Sequence, residues 1–279
     1  MPELPEVETI KRGLQRLVTG KIISEAHLFD KRAVLSPEPA LFKRRISGRR
    51  VLSVERRGKY ILMKLTDDKL LVIHLRMTGQ LIYFPNNMRP EKSTRVLFKF
   101  ITSDELHFND LRRFGTLWLI NSADKSLLKG LSSLGPEPLS AKFNLSAFTQ
   151  LLKNKKQRKI KALLLDQACI AGLGNIYTDE ILYRAAIHPA CRAGSLTTKE
   201  IGELYETLRT TLLEAIELGG TSTKDYLNTW GETGYFQFYL QVYGRRNQPC
   251  LRCSTPIERT VIAGRGTYFC PSCQRYYVK

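Results

Sequence analysis

The chain reads as an α+β protein in three parts: a β-rich amino-terminal domain, a helical middle and a small cysteine-bearing hairpin module at the carboxy end. Three observations carry that reading. Short β-type runs separated by turn signals fill residues 22–120, the apolar spacing becomes helical further on, and the last thirty residues hold two Cys-x-x-Cys pairs. Repeated short strands at such spacing indicate a sandwich or a barrel.

A helix is predicted first, over 6–18, because Val7, Ile10, Leu14 and Leu17 fall on one face, Pro5 stands at its start and Gly20 stops it. Strands are predicted over 22–29, Val51–Arg57, Tyr60–Leu65, Leu70–Leu75, Leu81–Phe84, Arg95–Ile101, Glu105–Phe108 and Phe114–Ile120. Turn signals such as Thr66-Asp67-Asp68, Thr78-Gly79 and Pro85-Asn86-Asn87 divide them. Leu134-Gly-Pro-Glu-Pro-Leu139 is a linker by composition, so the first domain is expected over 1–133. Helices are predicted over 145–153, 159–168, 175–186 and 197–218, within a second domain over 134–220 that Gly219-Gly220 closes. Residues 221–240, rich in Thr, Gly and aromatics, read as a mobile loop ahead of a ribbon over 241–279.

Cys250-Leu-Arg-Cys253 and Cys270-Pro-Ser-Cys273 form a C-x₂-C-x₁₆-C-x₂-C array. Two such turns joined by a hairpin supply four thiolates in a tetrahedron, the donor set of a structural Zn²⁺. A disulfide framework is the competing reading. It is disfavoured because no secretory segment precedes the chain, and Cys169 and Cys191 are scattered. The ribbon carries Arg245, Arg246, Arg252, Arg259, Arg265, Arg275 and Lys279 against the single acid Glu258, interleaved with Tyr243, Tyr268, Phe269, Tyr276 and Tyr277. Metal ligation would hold this basic hairpin rigid, a form suited to a polyanion. The whole chain agrees, with 44 Lys and Arg against 26 Asp and Glu, a formal charge of +18. A surplus of that size implies phosphate contacts and salt-dependent binding to nucleic acid. No membrane role is expected, given no apolar run of about 18 residues and no basic amphipathic helix with an aromatic apolar face. The acidic, proline-broken amino end shows no targeting segment, and the expected compartment is a reducing one, most simply the cytoplasm.

Pro2-Glu3-Leu4-Pro5-Glu6 sets two carboxylates beside a penultimate proline. A small second residue favours removal of Met1, which exposes a secondary amine. An α-amino group has a reference pKa near about 8, so a useful fraction is unprotonated at neutral pH. Such an amine can attack a sugar C1′ or a carbonyl, and Glu3 next to it can move protons. The plain alternative is that Glu6 and Glu8 merely favour the positive end of the helix.

Read together, the two ends and the motifs between them resemble bacterial formamidopyrimidine-DNA glycosylases across essentially the whole chain. The resemblance rests on Met1-Pro-Glu-Leu-Pro-Glu-Val-Glu-Thr9, Gly58-Lys59-Tyr60, His74-Leu-Arg-Met-Thr-Gly79, Asn109-Asp-Leu-Arg-Arg-Phe-Gly115, Leu134-Gly-Pro-Glu-Pro138, Gly172-Leu-Gly-Asn-Ile-Tyr177, Gly264-Arg-Gly266 and the four cysteines, in one order. It implies a two-sheet β-sandwich flanked by helices, a helix–two-turns–helix domain, and a ribbon holding one structural Zn²⁺. The implied activity is removal of oxidised purines, notably 8-oxoguanine and formamidopyrimidines, followed by strand cutting through β,δ-elimination. The partner is double-stranded DNA carrying oxidised bases, with the protein acting as a monomer.

Carried over residue by residue, the resemblance makes Pro2 the Schiff-base nucleophile and Glu3 its acid/base partner. Lys59 becomes a proton donor or phosphate clamp, and Arg265 a phosphate-gripping residue of δ-elimination. Met77, Arg112 and Phe114 match the set that fills the hole left by a rotated-out nucleotide. An apolar side chain and a ring can wedge a base step, while a guanidinium can bond the orphaned base. His74, Asn175, Lys156 and Lys161 match DNA-contacting positions. Asn175 is also a natural N-cap, and Met77 and Phe114 would otherwise read as core. One departure is Lys92-Ser93-Thr94-Arg95, where the family is often histidine-rich; Arg95 could substitute there electrostatically. A sister group, the endonuclease VIII-like glycosylases of oxidised pyrimidines, is the alternative enzyme. It typically has Gly where Leu4 stands and lacks the Met/Arg/Phe set. A non-catalytic zinc-ribbon DNA-binding protein would leave Pro2, Glu3 and Lys59 without a purpose.

Overall fold

The computed structural model describes residues 1–274 and Tyr276; Arg275, Tyr277 and Lys279 of the basic, aromatic ribbon set lie outside the described residues. By contacts the molecule divides into Met1–Ser132 with Ile216–Gln237, and Ser133–Ala215 with Phe238–Lys279. The expected 221–240 loop is thus split, most of it belonging to the first unit. The helical region and the ribbon form the second.

In the first unit, α1 (Leu4–Val18) starts two residues before its predicted onset. Glu3 is its N-cap in a reciprocal capping box with Glu6, and Pro5 fits a first turn whose N–H groups have no helical partner. Next come β1 (Ile23–Leu28), β2 (Val34–Ser36), α2 (Pro39–Ile46), β3 (Val51–Arg57), β4 (Tyr60–Leu65), β5 (Lys69–His74), β6 (Gly79–Phe84), β7 (Thr94–Phe100), β8 (Glu105–Asp110) and β9 (Thr116–Asn121). Sequence patterning misses β2 and α2. The strand has only three residues, and the helix has eight, started by Pro39 with the Glu38 side chain capping Leu41 N.

The strands make two sheets, ordered β1-β7-β8-β6 and β2-β9-β5-β4-β3, with only the β2–β9 pair parallel. Each sheet turns alternate residues inward. Leu81, Val96, Phe98 and Phe108 of one sheet share a core with Val54, Ile61, Met63, Leu71, Ile73 and Leu117 of the other. Val7, Ile10 and Leu14 of α1 and Phe42 of α2 join that core. This is a sandwich, not a closed barrel.

The segment from Ile216 to Gln237 is pinned to this unit at several points. Thr221 N donates to Glu6 Oε1 at 2.8 Å, Thr229 Oγ1 to the Ile10 carbonyl at 3.2 Å, and Tyr83 N to the Thr229 carbonyl at 2.9 Å. Gly13 permits the approach, since a Cβ there would lie 2.7 Å from Thr229 Oγ1 and 3.0 Å from the Trp230 ring.

The second unit follows a short helix, α3 (Lys129–Ser132), and holds α4 (Leu145–Asn154), α5 (Ile160–Leu165), α6 (Asn175–Arg184) and α7 (Thr198–Glu217). Phe148, Leu152, Leu163, Leu164, Ile181, Leu204 and Leu208 are buried among them. The hairpin β10 (Glu258–Ile262) and β11 (Arg265–Phe269) completes the ribbon. Among the described residues no helix is long and apolar enough to cross a membrane.

Candidate active site and nucleic-acid surface

The amino terminus is folded in. Pro2 and Glu3 are buried, whereas Met1 is 47 % exposed. The Glu6 carboxylate is the tie: Oε2 accepts from Glu3 N at 2.7 Å and Oε1 from Thr221 N at 2.8 Å. A Cβ at Gly220 would lie 2.9 Å from Glu6 Oε1, and the φ of +86° there is also one that favours glycine. Glu6 is therefore more than a charge at the positive end of a helix. Sequence reading missed this role, because a partner 215 residues away leaves no local pattern.

Lys59 sits in the β3–β4 turn, buried to 7 % exposure. His74 ends β5 opposite Tyr60, whose ring meets the imidazole edge-on at 4.5 Å. Burial, then the charges of Arg76 and Lys59, push the His74 pKa down to about 3. Its Nδ1 accepts from Arg76 N at 3.0 Å, so the neutral ring carries its proton on Nε2. That leaves a neutral N–H donor in cationic surroundings, suited to a phosphate oxygen.

Met77 (38 % exposed) and Phe114 (52 %) are unburied, as the wedge role expected of them requires, and the Arg112 guanidinium lies 4.9 Å from the Phe114 ring centre. Asp110 organises both loops. Oδ1 accepts from Thr78 Oγ1 and from Arg112 N at 3.2 Å, and Oδ2 from Gly115 N at 2.7 Å. Asp110 was absent from the predicted site although it stands inside the 109–115 motif; an Asp at the end of a β-run just before a Gly-bearing turn is the signal that could have found it. Arg95 departs from expectation. It is 8 % exposed and donates from Nε to the Asp110 carbonyl at 2.8 Å and from Nη1 to the Lys92 carbonyl at 3.1 Å. It braces the Asp110 loop from behind and does not present its guanidinium at the surface.

In the second unit, Gly174 is the N-cap of α6 and Asn175 its first residue, so the expected Asn cap is displaced by one. Asn175 Nδ2 instead donates to the Gly266 carbonyl at 2.8 Å. Lys161, expected on DNA, is fully buried: its Nζ lies 2.6 Å from Asp179 Oδ1 and 3.2 Å from the Gly266 carbonyl. Asp179 Oδ2 accepts from Tyr268 N at 3.0 Å. Burial raises the Asp179 pKa, and Lys161 and the Tyr268 N–H pull it back. Glu180 Oε1 and Oε2 take the N–H groups of Gln241, Val242 and Tyr243, each at 2.9 Å. Two adjacent acids in a helix buried nearly all round could have signalled such partners. Glu180 thus fixes the chain entering the ribbon, and Asp179 fixes β11, where Arg265 is exposed at a two-residue turn with φ of +51° at Ala263 and +70° at Gly264. Lys156 is exposed in the cationic run after α4, while Arg158 is paired with Asp166 at 2.6 Å.

The four thiols of Cys250, Cys253, Cys270 and Cys273 lie within 4.8 Å of one another. Cys250 Sγ is 3.8 Å from Cys273 Sγ, and Cys253 Sγ 3.5 Å from Cys270 Sγ. A tetrahedron with Zn–S bonds of about 2.3 Å has edges near about 3.8 Å, so this donor set fits one Zn²⁺. Bound there, the ion closes the fold of the ribbon and supplies no open coordination position. Arg252 backs the site, its guanidinium 4.4 Å from the Tyr183 ring centre and donating to the Tyr183 carbonyl at 3.0 Å.

Comparison with known proteins follows the same three parts. Residues 1–117 match the formamidopyrimidine-DNA glycosylase N-terminal domain, 134–226 the H2TH domain of that glycosylase, and 247–275 the zinc finger found in FPG and IleRS. This set of modules is that of a DNA glycosylase. The formamidopyrimidine-DNA glycosylase of Enterococcus faecalis is 44 % identical over 275 residues, covering 99 % of this chain and 98 % of its own. Lactococcus lactis Fpg (MutM), solved with DNA containing N7-benzyl-Fapy-dG, superimposes with a TM-score of 0.90 at 37 % identity over 98 % of this chain and all of its own. A MutM solved with carbocyclic 8-oxo-G DNA gives 0.89 at 37 % identity over the same shares. The chain belongs to the formamidopyrimidine-DNA glycosylase family.

Proposed function

We propose that this protein is a bifunctional glycosylase and abasic-site lyase that excises 8-oxoguanine and formamidopyrimidines from duplex DNA, as a monomer, in the cytoplasm. The observation that carries the reading is the placement of Pro2 and Glu3, buried at the positive end of α1 and braced by Glu6. A helix amino end disfavours an ammonium ion, so the amine freed by loss of Met1 is kept in its neutral, nucleophilic form.

The Pro2 nitrogen attacks C1′, the C1′–N bond breaks, and the base leaves with its electron pair and a proton. Glu3 moves protons between the opening sugar and the amine. The resulting iminium acidifies C2′–H; loss of that proton expels the 3′ phosphate, with Lys59 placed to donate or to hold charge. A second elimination, with Arg265 on phosphate, expels the 5′ phosphate. Met77, Arg112 and Phe114 occupy the place of the extruded nucleotide, and His74, Asn175 and Lys156 hold phosphates. Lys161 and Arg95 act from behind, on the turns that carry these groups.

Borohydride trapping tests the reading. Protein lacking Met1 should form one covalent adduct with a duplex bearing 8-oxoguanine opposite cytosine, and Pro2→Gly should abolish or alter it. Absence of an adduct on every oxidised base would remove the enzyme class. Faster excision of thymine glycol than of 8-oxoguanine would favour the endonuclease VIII-like alternative.

A further inference from the structure

A second concave site lies on the outer face of the β6–β8 pair, away from the sandwich core. It encloses about 430 Å³, within the range of small-molecule sites of roughly 300–1,000 Å³. Its floor is the cross-strand pair Gln80 and Asn109, and Trp230, 46 % exposed, forms a wall.

Hydrogen bonding fixes which way the two floor amides point. Thr94 Oγ1 accepts from Glu91 N at 3.0 Å, so its own proton goes to Asn109 Oδ1 at 2.8 Å. The Asn109 amide is thereby oriented with Nδ2 as its free prong. Asn109 is only 4 % exposed, and Nδ2 has no acceptor among the described residues. Such a donor on a cavity wall is left to bond whatever occupies the cavity. Gln80 is fixed in the opposite sense, because its Nε2 donates to the Asp225 carbonyl and Oε1 is left as an acceptor. One donor and one acceptor thus stand side by side on neighbouring strands, next to an aromatic face.

We infer that this cavity binds an uncharged heteroaromatic ring with a cyclic-amide edge, a lactam nucleobase or its nucleoside, whose C=O takes Asn109 Nδ2, whose N–H meets Gln80 Oε1 and whose face stacks on Trp230. The charge lining the cavity selects the source. On a chain of formal charge +18, no Lys or Arg is among the residues lining it, while the acidic residues Glu91 and Asp110 are. A phosphate is repelled there, so the ligand is a free base or nucleoside and not a nucleotide or a strand. The inference is independent of the Pro2 chemistry, since the site uses none of the groups assigned to catalysis.

Binding of inosine, guanosine, adenosine and inosine 5′-monophosphate to the full, zinc-loaded chain tests it, read by saturation-transfer NMR and by tryptophan fluorescence. Inosine and guanosine should bind. Adenosine, which lacks the ring carbonyl and the adjacent N–H, should bind at least about ten-fold more weakly, the worth of one good hydrogen bond and an unmet one. The monophosphate should be several-fold weaker than inosine. Asn109→Asp replaces the donor with a carboxylate and should cost inosine about ten-fold. Trp230→Phe should remove the fluorescence change and weaken binding a few-fold. If Asn109→Asp does not fold, Gln80→Leu serves the same purpose. Adenosine binding as well as inosine, equal affinity in the floor variants, or no binding at millimolar nucleoside would each overturn the inference.

Discussion

The two units hold their functional turns by different means. In the first, a shared core of two sheets and two helices fixes the scaffold, and carboxylates make only the last adjustment: Glu6 ties the amino terminus to residue 221, and Asp110 ties the loops of Met77 and Arg112. In the ribbon the apolar cluster is small. It consists of Tyr183, Val242, Cys250, Ile257 and Cys270, two of which are metal ligands. Fully desolvated acids, Asp179 and Glu180, do there what a sheet core does in the sandwich. Where apolar burial is scarce, metal ligation and buried ion pairs set geometry, and they fail more abruptly when disturbed.

Metal removal breaks the comparison most sharply. Structural zinc sites contribute apparent binding free energies on the order of 10 kcal/mol. Chelation should therefore unfold residues 247–274 and leave the sandwich intact. Amide exchange reads this: β10 and β11 should lose protection while β4, β5 and β8 keep theirs. Equal loss in both units would contradict the contrast.

The next effect is that of Lys161→Met. It leaves Asp179 buried without its cation, a loss of about 3–5 kcal/mol. The paired change Lys161→Met with Asp179→Leu should restore most of the stability, since a buried ion pair is often no better than well-packed apolar groups. It should still slow the step assigned to Arg265, because Tyr268 N and the Gly266 carbonyl lose their anchors. Thermal melting and single-turnover strand cutting separate the two outcomes. Full activity in the double variant would show that the pair is structural only.

Asp110→Asn comes third, at about 1–3 kcal/mol, because an amide cannot accept from Thr78, Arg112 and Gly115 together. Affinity for a duplex with a stable abasic analogue should fall, alongside a melting-temperature loss of a few degrees from the unmet buried bonds. A large drop in melting temperature at unchanged affinity would place Asp110 in the core and not in the wedge loops.

What the sequence disclosed follows the range of each interaction. The four cysteines, the 6–18 helix and most strands were legible because spacing and alternation are local. Met77, Arg112 and Phe114 are singled out only through a resemblance, since none carries a pattern that separates a wedge from a core residue, whereas the Pro2 amine can also be argued from its chemistry. The burial of Lys161, which the resemblance matches to a DNA-contacting position, and of Arg95, read as an electrostatic substitute, was not legible, because their partners, Asp179 and the Asp110 carbonyl, are 18 and 15 residues away. The orientation of Asn109 was out of reach, because it depends on which proton Thr94 has left to give.

The smallest effect concerns His74. Its folded pKa is pushed down to about 3 from the ordinary 6.5, so below pH 6.5 the unfolded chain binds a proton that the folded chain refuses. The stabilising difference is fully present above pH 6.5 and is lost progressively as pH falls toward about 3. Between pH 7.5 and 5.5 it amounts to about 1.4 kcal/mol, at about 1.4 kcal/mol for the one unit below the unfolded value. His74→Gln keeps a side-chain acceptor for Arg76 N but does not titrate. Its stability should therefore be flatter than the parent's over that interval by the same amount, measured by denaturant melts at each pH. Parallel curves for the two proteins would mean that His74 titrates at its ordinary value in the folded protein, and its staying neutral well below pH 6.5 would have to be given up.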